Sequence, residues 1–201
     1  MLNVVPKGTG WIEVICGCMF SGKTEELIRR LRRAVIAQQS VIVFKSKIDE
    51  RYESKLVVSH SEHKIEALQV ATAREVEELV GDFQVIGIDE AQFIAGELVN
   101  VVRRLANRGR RVIITGLDTD FRAEPFEPIP QLMCEAEVVT KLMAVCHRCG
   151  APAHRTQRIG AGTDLVQIGG QEQYEARCRS CYVPPDESGE RTGQAGLFDS
   201  E

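Results

Sequence analysis

The sequence predicts an α/β fold, a mostly parallel sheet flanked by helices, with a small β-rich domain appended at its carboxyl end. Three observations predict it. First, the apolar run Trp11-Ile12-Glu13-Val14-Ile15-Cys16 leads into Gly17-Cys18-Met19-Phe20-Ser21-Gly22-Lys23-Thr24, and a helical pattern follows. A strand, a glycine-bounded loop ending in Gly-Lys-Thr and a helix together make the full context of a P-loop. Second, Val85-Ile86-Gly87-Ile88 and Arg111-Val112-Ile113-Ile114-Thr115 read as buried strands, and the first closes on Asp89-Glu90. Third, the composition changes from Val145, where two Cys-x-x-Cys pairs bracket short β-like segments.

The bulk properties bound the problem. A chain of 201 residues suits one α/β domain plus a small appendage. Its net charge of −4 argues against a general nucleic-acid binder, which is usually basic. No run of about 18 apolar residues would span a membrane. The first residues, Met1-Leu2-Asn3-Val4-Val5-Pro6-Lys7, lack the apolar stretch and cleavage site of a leader. The expectation is a cytoplasmic protein without a membrane or nucleic-acid partner.

Residues 1–10 read as a loose lead-in to the first strand, which runs to about Cys16. In the loop after it, the two glycines let the backbone turn its N–H groups inward. With the positive end of the next helix these donors form a cradle for polyphosphate. Lys23 is expected to reach the β- and γ-phosphates and the Thr24 hydroxyl to hold Mg²⁺. The chain is therefore expected to bind a nucleoside triphosphate. The helix from Glu25 to Ala37 carries Leu27, Ile28, Leu31, Ala34 and Val35 at helical spacing. Arg29, Arg30, Arg32 and Arg33 lie largely on its other face, either salt-bridged in solvent or touching nucleic acid or another subunit.

Gln38-Gln39-Ser40 turns the chain into the short strand Val41-Ile42-Val43-Phe44. A polar stretch with Asp49-Glu50-Arg51-Tyr52 and His60 follows and reads as a mobile loop. Thr72 and Glu75 form a capping box for a helix that Gly81 stops after about Val80. The strand ending in Asp89-Glu90 carries its acids at the carboxyl end, where an open α/β sheet places ligands. Gly96 to Asn107 is another helix. Beyond the strand 111–115, Gly116-Leu117-Asp118-Thr119-Asp120-Phe121 opens a proline-rich loop, and Met133 to Met143 mixes a short helix with a strand.

Cys146-x-x-Cys149 and Cys178-x-x-Cys181 fit a four-cysteine zinc site. Each pair brings two sulfurs into range on one turn, and no ligand position stays open, so the metal would be structural. Two disulfides or free thiols, and then redox chemistry, remain the alternatives. Cys16, Cys18 and Cys134 read as ordinary buried thiols, with Cys18 also part of the loop. The linker between the pairs is longer than the roughly 15–20 residues usual in a zinc ribbon. Clamped at both ends and rich in glycine, it reads as a lid over a substrate or, alternatively, as a plain hairpin. Beyond Tyr182 the chain has too little apolar surface to order itself and reads as a disordered tail.

These motifs, taken in order, resemble those of the type II thymidine kinases. The resemblance rests on the P-loop, Asp49-x-Arg51-Tyr52, Asp89-Glu90-Ala91-Gln92-Phe93, Gly116-Leu117-Asp118-x-Asp120-Phe121, both cysteine pairs and Ile168-Gly169-Gly170 with Tyr174. It covers about residues 10–182. Cys18 stands where the family usually has proline, which loses the stiffness of a fixed φ but no functional group. The resemblance implies a RecA-like P-loop domain over 1–143, a zinc domain over 144–182 with a lasso loop over the nucleoside, and a tail over 183–201. It implies transfer of the ATP γ-phosphate to the 5′-hydroxyl of thymidine, a homotetramer and feedback inhibition by dTTP. Glu90 would be the general base. Gly17, Cys18, Met19, Phe20, Ser21, Gly22, Lys23 and Thr24, with Asp49, Arg51, Asp89 and Gln92, would hold the nucleotide and its Mg²⁺. Met19, Phe93, Leu117, Phe121, Thr156 and Tyr174 would enclose thymine, with the backbone of Leu165, Val166, Gln167, Ile168 and Gly169 reading the base. Cys146, Cys149, Cys178 and Cys181 would hold the zinc. The rival readings are a P-loop kinase for another nucleoside or nucleotide, and an ATP-driven protein gripping nucleic acid through a zinc ribbon. A ribbon poor in aromatics and an acidic chain disfavour the second.

Overall fold

The computed structural model describes residues 9–47, 56–58, 64–160 and 172–185, with only the backbone for 56–58 and 64–66. Asp49, Arg51 and most of the expected mobile loop lie outside these residues. So do Leu165, Val166, Gln167, Ile168, Gly169 and the chain beyond Pro185.

In chain order the elements are β1 (Trp11–Cys16), α1 (Lys23–Ile36), β2 (Val41–Ser46), β3 (Leu56–Val58), β4 (Lys64–Glu66), β5 (Leu68–Val70), α2 (Ala73–Leu79), β6 (Val85–Asp89), α3 (Leu98–Asn107), β7 (Arg111–Gly116), α4 (Ile129–Glu135), β8 (Val138–Lys141), β9 (Ala144–Val145), β10 (Pro152–Ala153), β11 (Arg155–Arg158) and β12 (Tyr174–Arg177). A 3₁₀ turn, Ala91–Phe93, follows β6.

Among the described residues, six strands form one sheet in the order β5-β2-β6-β7-β1-β8. Every pairing in it is parallel. Alternation along each strand splits the core into two layers. Ile15, Val43, Val85 and Ile113 face α1 through Leu27, Ile28, Leu31 and Ala34. Ile12, Val14, Ile42, Phe44, Ile86, Ile88, Val112 and Ile114 face α2, α3 and α4 on the other side. Burial on both faces explains why these strands read as unbroken apolar runs. The parallel order also gathers the carboxyl ends of β1, β6, β7 and β8 on one edge, with Cys16 paired to both Gly116 and Lys141.

The helix ends follow local chemistry. Thr72 caps α2 by accepting the Glu75 N–H at 3.2 Å, while the Glu75 carboxylate reaches back to the Ala71 N–H at 3.0 Å. On α1, Arg29 and Arg30 both pair with Glu26, and Arg30 also reaches Glu13 at 2.7 Å. The reading of a solvent-exposed salt bridge therefore holds for Arg29, whereas Arg30 is largely buried and pairs inward as well. Val35 departs from its expected buried face: it stands 57% exposed beside Ile36 at the last turn. Cys134 is a second correction, because α4 turns it outward instead of into the core. The edge strand β5 has no counterpart in the sequence reading, since three residues are too short to show alternation.

Glu13 is one of the buried charged residues of the sheet. It accepts from Arg30 at 2.7 Å, Arg111 at 2.6 Å and the Trp11 indole at 2.8 Å. Burial alone would raise its pKa, but these donors together hold it below the usual carboxylate range. The cluster ties α1, β1 and β7 together. The carboxyl-terminal part is built from two antiparallel pairs, β9 with β10 and β11 with β12.

Candidate active site

The loop from Gly17 to Gly22 turns sharply through residues of positive φ. Gly17, Phe20 and Gly22 have φ of 140°, 65° and 83°. A Cβ on Gly17 would come 2.3 Å from the Leu142 carbonyl, so only glycine fits there. Lys23, almost fully buried, donates to the Cys18 carbonyl at 2.8 Å, and the Ser21 hydroxyl donates to the same oxygen at 2.8 Å. Burial pushes the Cys18 thiol pKa up, and the protonated thiol donates to the Ala153 carbonyl at 3.4 Å.

Asp89 and Glu90 leave β6 in different directions. Asp89 is buried, accepts from the Thr24 hydroxyl at 3.3 and 3.4 Å, and also takes a short hydrogen bond from Thr115. Thr24 and Asp89, far apart in sequence, thus meet, and their oxygens are the hard donors Mg²⁺ prefers. Glu90 sits in the left-handed region at φ 52° and ψ 47°. A non-glycine residue held there is strained, and such strain collects at functional sites. Gln92 bridges onward: its amide donates to the Glu90 carboxylate at 2.5 Å and accepts from the Leu117 N–H at 3.2 Å.

The residues expected around the base fall into connected groups. Met19 donates its N–H to the Thr156 hydroxyl at 3.1 Å. Phe121 and Tyr174 are joined by Arg158, whose guanidinium lies 3.7 Å from the Phe121 ring centroid and donates to the Tyr174 hydroxyl at 3.0 Å. The Tyr182 hydroxyl donates to the Phe121 carbonyl at 2.8 Å. Phe93 packs edge-to-face on Phe126 at 6.0 Å. Arg158, Thr115, Phe126 and Tyr182 were not legible from sequence. A buried arginine carries no periodic signal, and Thr115 reads as one more strand residue.

The four cysteine sulfurs of Cys146, Cys149, Cys178 and Cys181 lie within 4.8 Å of one another. The Cys149 and Cys178 sulfurs are 3.6 Å apart, close to the separation two thiolates take on a tetrahedral zinc with bonds of about 2.3 Å. Burial would raise Cys146, but N–H groups of Cys178, Cys149 and Arg148 hold it at about 6. Cys181, hydrogen-bonded to the Cys149 and Cys178 sulfurs, is pushed up to about 12. Four thiolates this close together repel one another, and a divalent cation relieves that crowding. The donor set fits structural zinc.

A family model described as thymidine kinase matches residues 10–182. A thymidine kinase from Rhodothermus sp. (strain ITI 518) is 53% identical over 176 residues, covering 88% of this chain and 83% of that one. The chain belongs to the thymidine kinase family. As a thymidine kinase it carries out ATP-dependent phosphorylation of thymidine to dTMP. The crystal structure of the flagellar accessory protein FlaH from Methanocaldococcus jannaschii aligns with 85% of this chain and 88% of its own, at 13% identity and a TM-score of 0.48. A likeness that slight bears on neither the fold nor the function of the thymidine kinase. Among its described residues, no helix is long and apolar enough to cross a membrane.

Proposed function

We propose that Glu90 is the general base of the thymidine kinase reaction. The observation that carries this reading is its place: a strained residue at the carboxyl end of β6, next to the Asp89–Thr24 contact, with its carboxylate steered by Gln92. A primary alcohol is a weak nucleophile, and a carboxylate in reach accepts its proton as transfer proceeds. The thymidine 5′-oxygen bonds to the γ-phosphorus, the bond from that phosphorus to the β,γ-bridging oxygen breaks, and the proton passes to Glu90. ADP and dTMP leave.

The other roles follow from chemistry and position. The backbone from Gly17 to Gly22 and the Lys23 ammonium bind the phosphates, with Asp49, Arg51 and Gln92 completing the nucleotide side. Thr24 and Asp89 would hold Mg²⁺, which when bound neutralises charge on the β- and γ-phosphates. Met19, Phe93, Leu117, Phe121, Thr156 and Tyr174 enclose thymine, and Arg158 keeps two of these aromatic faces in place. Leu165 to Gly169, outside the described residues, are assigned the role of reading the base through their backbone. Zinc on Cys146, Cys149, Cys178 and Cys181 anchors that segment within a second domain over 144–182. The wider reading is a cytoplasmic homotetramer inhibited by dTTP.

Replacing Glu90 tests the central assignment. Glu90→Gln should lower kcat about 10²–10⁴-fold, the usual span for one acid–base group, while calorimetry still detects thymidine and Mg-ATP binding. Full turnover, or loss of nucleoside binding, would reject Glu90 as base.

A further inference from the structure

We propose that Thr156 is a positioning residue for the P-loop, so that β11 ties the phosphate cradle to the nucleoside pocket. The proposal rests on the reading that this loop holds the ATP phosphates. Sequence matching assigns Thr156 to the thymine side. Its hydroxyl oxygen also accepts the Met19 N–H at 3.1 Å, and the residue is 2% exposed. One donor of the loop is thereby turned toward β11, which constrains the direction of the N–H groups after it.

A second tether lies beside it. The Cys18 thiol donates to the Ala153 carbonyl, two residues before β11 begins. Cys18 is fully buried in a cluster with Ala144, Cys146, Ala153, Ala176 and Cys178. The cradle therefore rests on the cysteine-bearing module. Side chains alternate along a strand, so Thr156 and Arg158 lie on one face of β11. Thr156 holds the loop, and Arg158 holds Phe121 and Tyr174. A displacement of β11 reaches both substrates.

The test uses the full-length, zinc-loaded protein and a non-hydrolysable ATP analogue with Mg²⁺ and no nucleoside, read by calorimetry. Thr156→Val keeps the shape but removes the acceptor. It should weaken the analogue about five- to tenfold, the scale of one buried hydrogen bond, whereas Thr156→Ser stays within about twofold of the parent. Zinc content should match across the three proteins. An unchanged affinity in Thr156→Val overturns the proposal, whatever happens to the thymidine KM. If that variant does not fold, the parent protein decides by hydrogen exchange. A Met19 amide that exchanges slowly without nucleotide supports the tether, and one that exchanges as fast as a free loop amide refutes it. Lys23→Met is the separate control. If it binds the analogue as tightly as the parent, the P-loop reading has failed and not the role of Thr156.

Discussion

Asp89 and Glu90 are adjacent carboxylates with different environments, and their separation rests on a few neighbours. Asp89 is fixed by two threonine hydroxyls from β7 and α1, while Glu90 is steered by the amide of Gln92. Gly116 is what lets Gln92 come close. A Cβ there would lie 2.3 Å from the Ile129 Cδ1 and 2.8 Å from the Gln92 Oε1. Gly116→Ala should therefore push Gln92 off Glu90 and overpack the α4 face. We expect a loss of about 1–3 kcal/mol in stability by chemical denaturation, with a fall in kcat larger than any change in the KM for ATP. A variant with normal stability and normal kcat would show that Gln92 does not depend on this close approach.

At the scale of elements, α1 shows how a helix serves the sheet and the site together. Its apolar stripe is fixed by Leu27, Ile28, Leu31 and Ala34, and its first turn presents Lys23 and Thr24 to the ligand edge. Glu26 braces that turn. Its pKa is lowered to about 2, chiefly by the hydrogen bonds from Arg29, with Arg30 adding to them. A carboxylate depressed in the folded state contributes stability that is complete above its unfolded value, near 4.5, and fades as the pH falls through that value toward 2. The melting temperature of the parent should exceed that of Glu26→Gln at neutral pH. The gap should narrow steadily between about pH 5 and 3. A gap that stayed constant across that range would mean the ion pairs with Arg29 and Arg30 contribute nothing to folding.

On the scale of the whole molecule, the cysteine module packs against the loop that carries Cys18. Its buried cluster includes Cys18 of the phosphate loop beside Cys146 and Cys178. Losing the metal should therefore reach the nucleotide as well as the nucleoside. Cys146→Ser should bind little zinc, unfold at lower temperature and raise the KM values of thymidine and ATP together. Zinc analysis and steady-state kinetics check this. A rise confined to thymidine would restrict the module to the nucleoside side. Glu13 provides the other long-range tie, because its partners come from α1 and β7.

Much of the fold and of the candidate site was legible in the residues themselves. A phosphate cradle is a local turn of eight consecutive residues, Gly17 to Thr24, so its chemistry is written contiguously. A Cys-x-x-Cys pair likewise places its two sulfurs without help from the rest of the chain, and the apolar runs at β1, β6 and β7 announce strands buried on both faces. The order of motifs then identified the family. Tertiary structure decided which groups meet across that frame. Tertiary packing brings Thr115 to Asp89, ties Gln92 to Leu117, and turns Thr156 onto Met19. It buries Arg158 between two aromatic residues that lie 37 and 16 positions away in either direction along the chain. Contacts of that kind depend on parallel crossovers and on packing, where the free energy of a buried polar group is set by its neighbours in space.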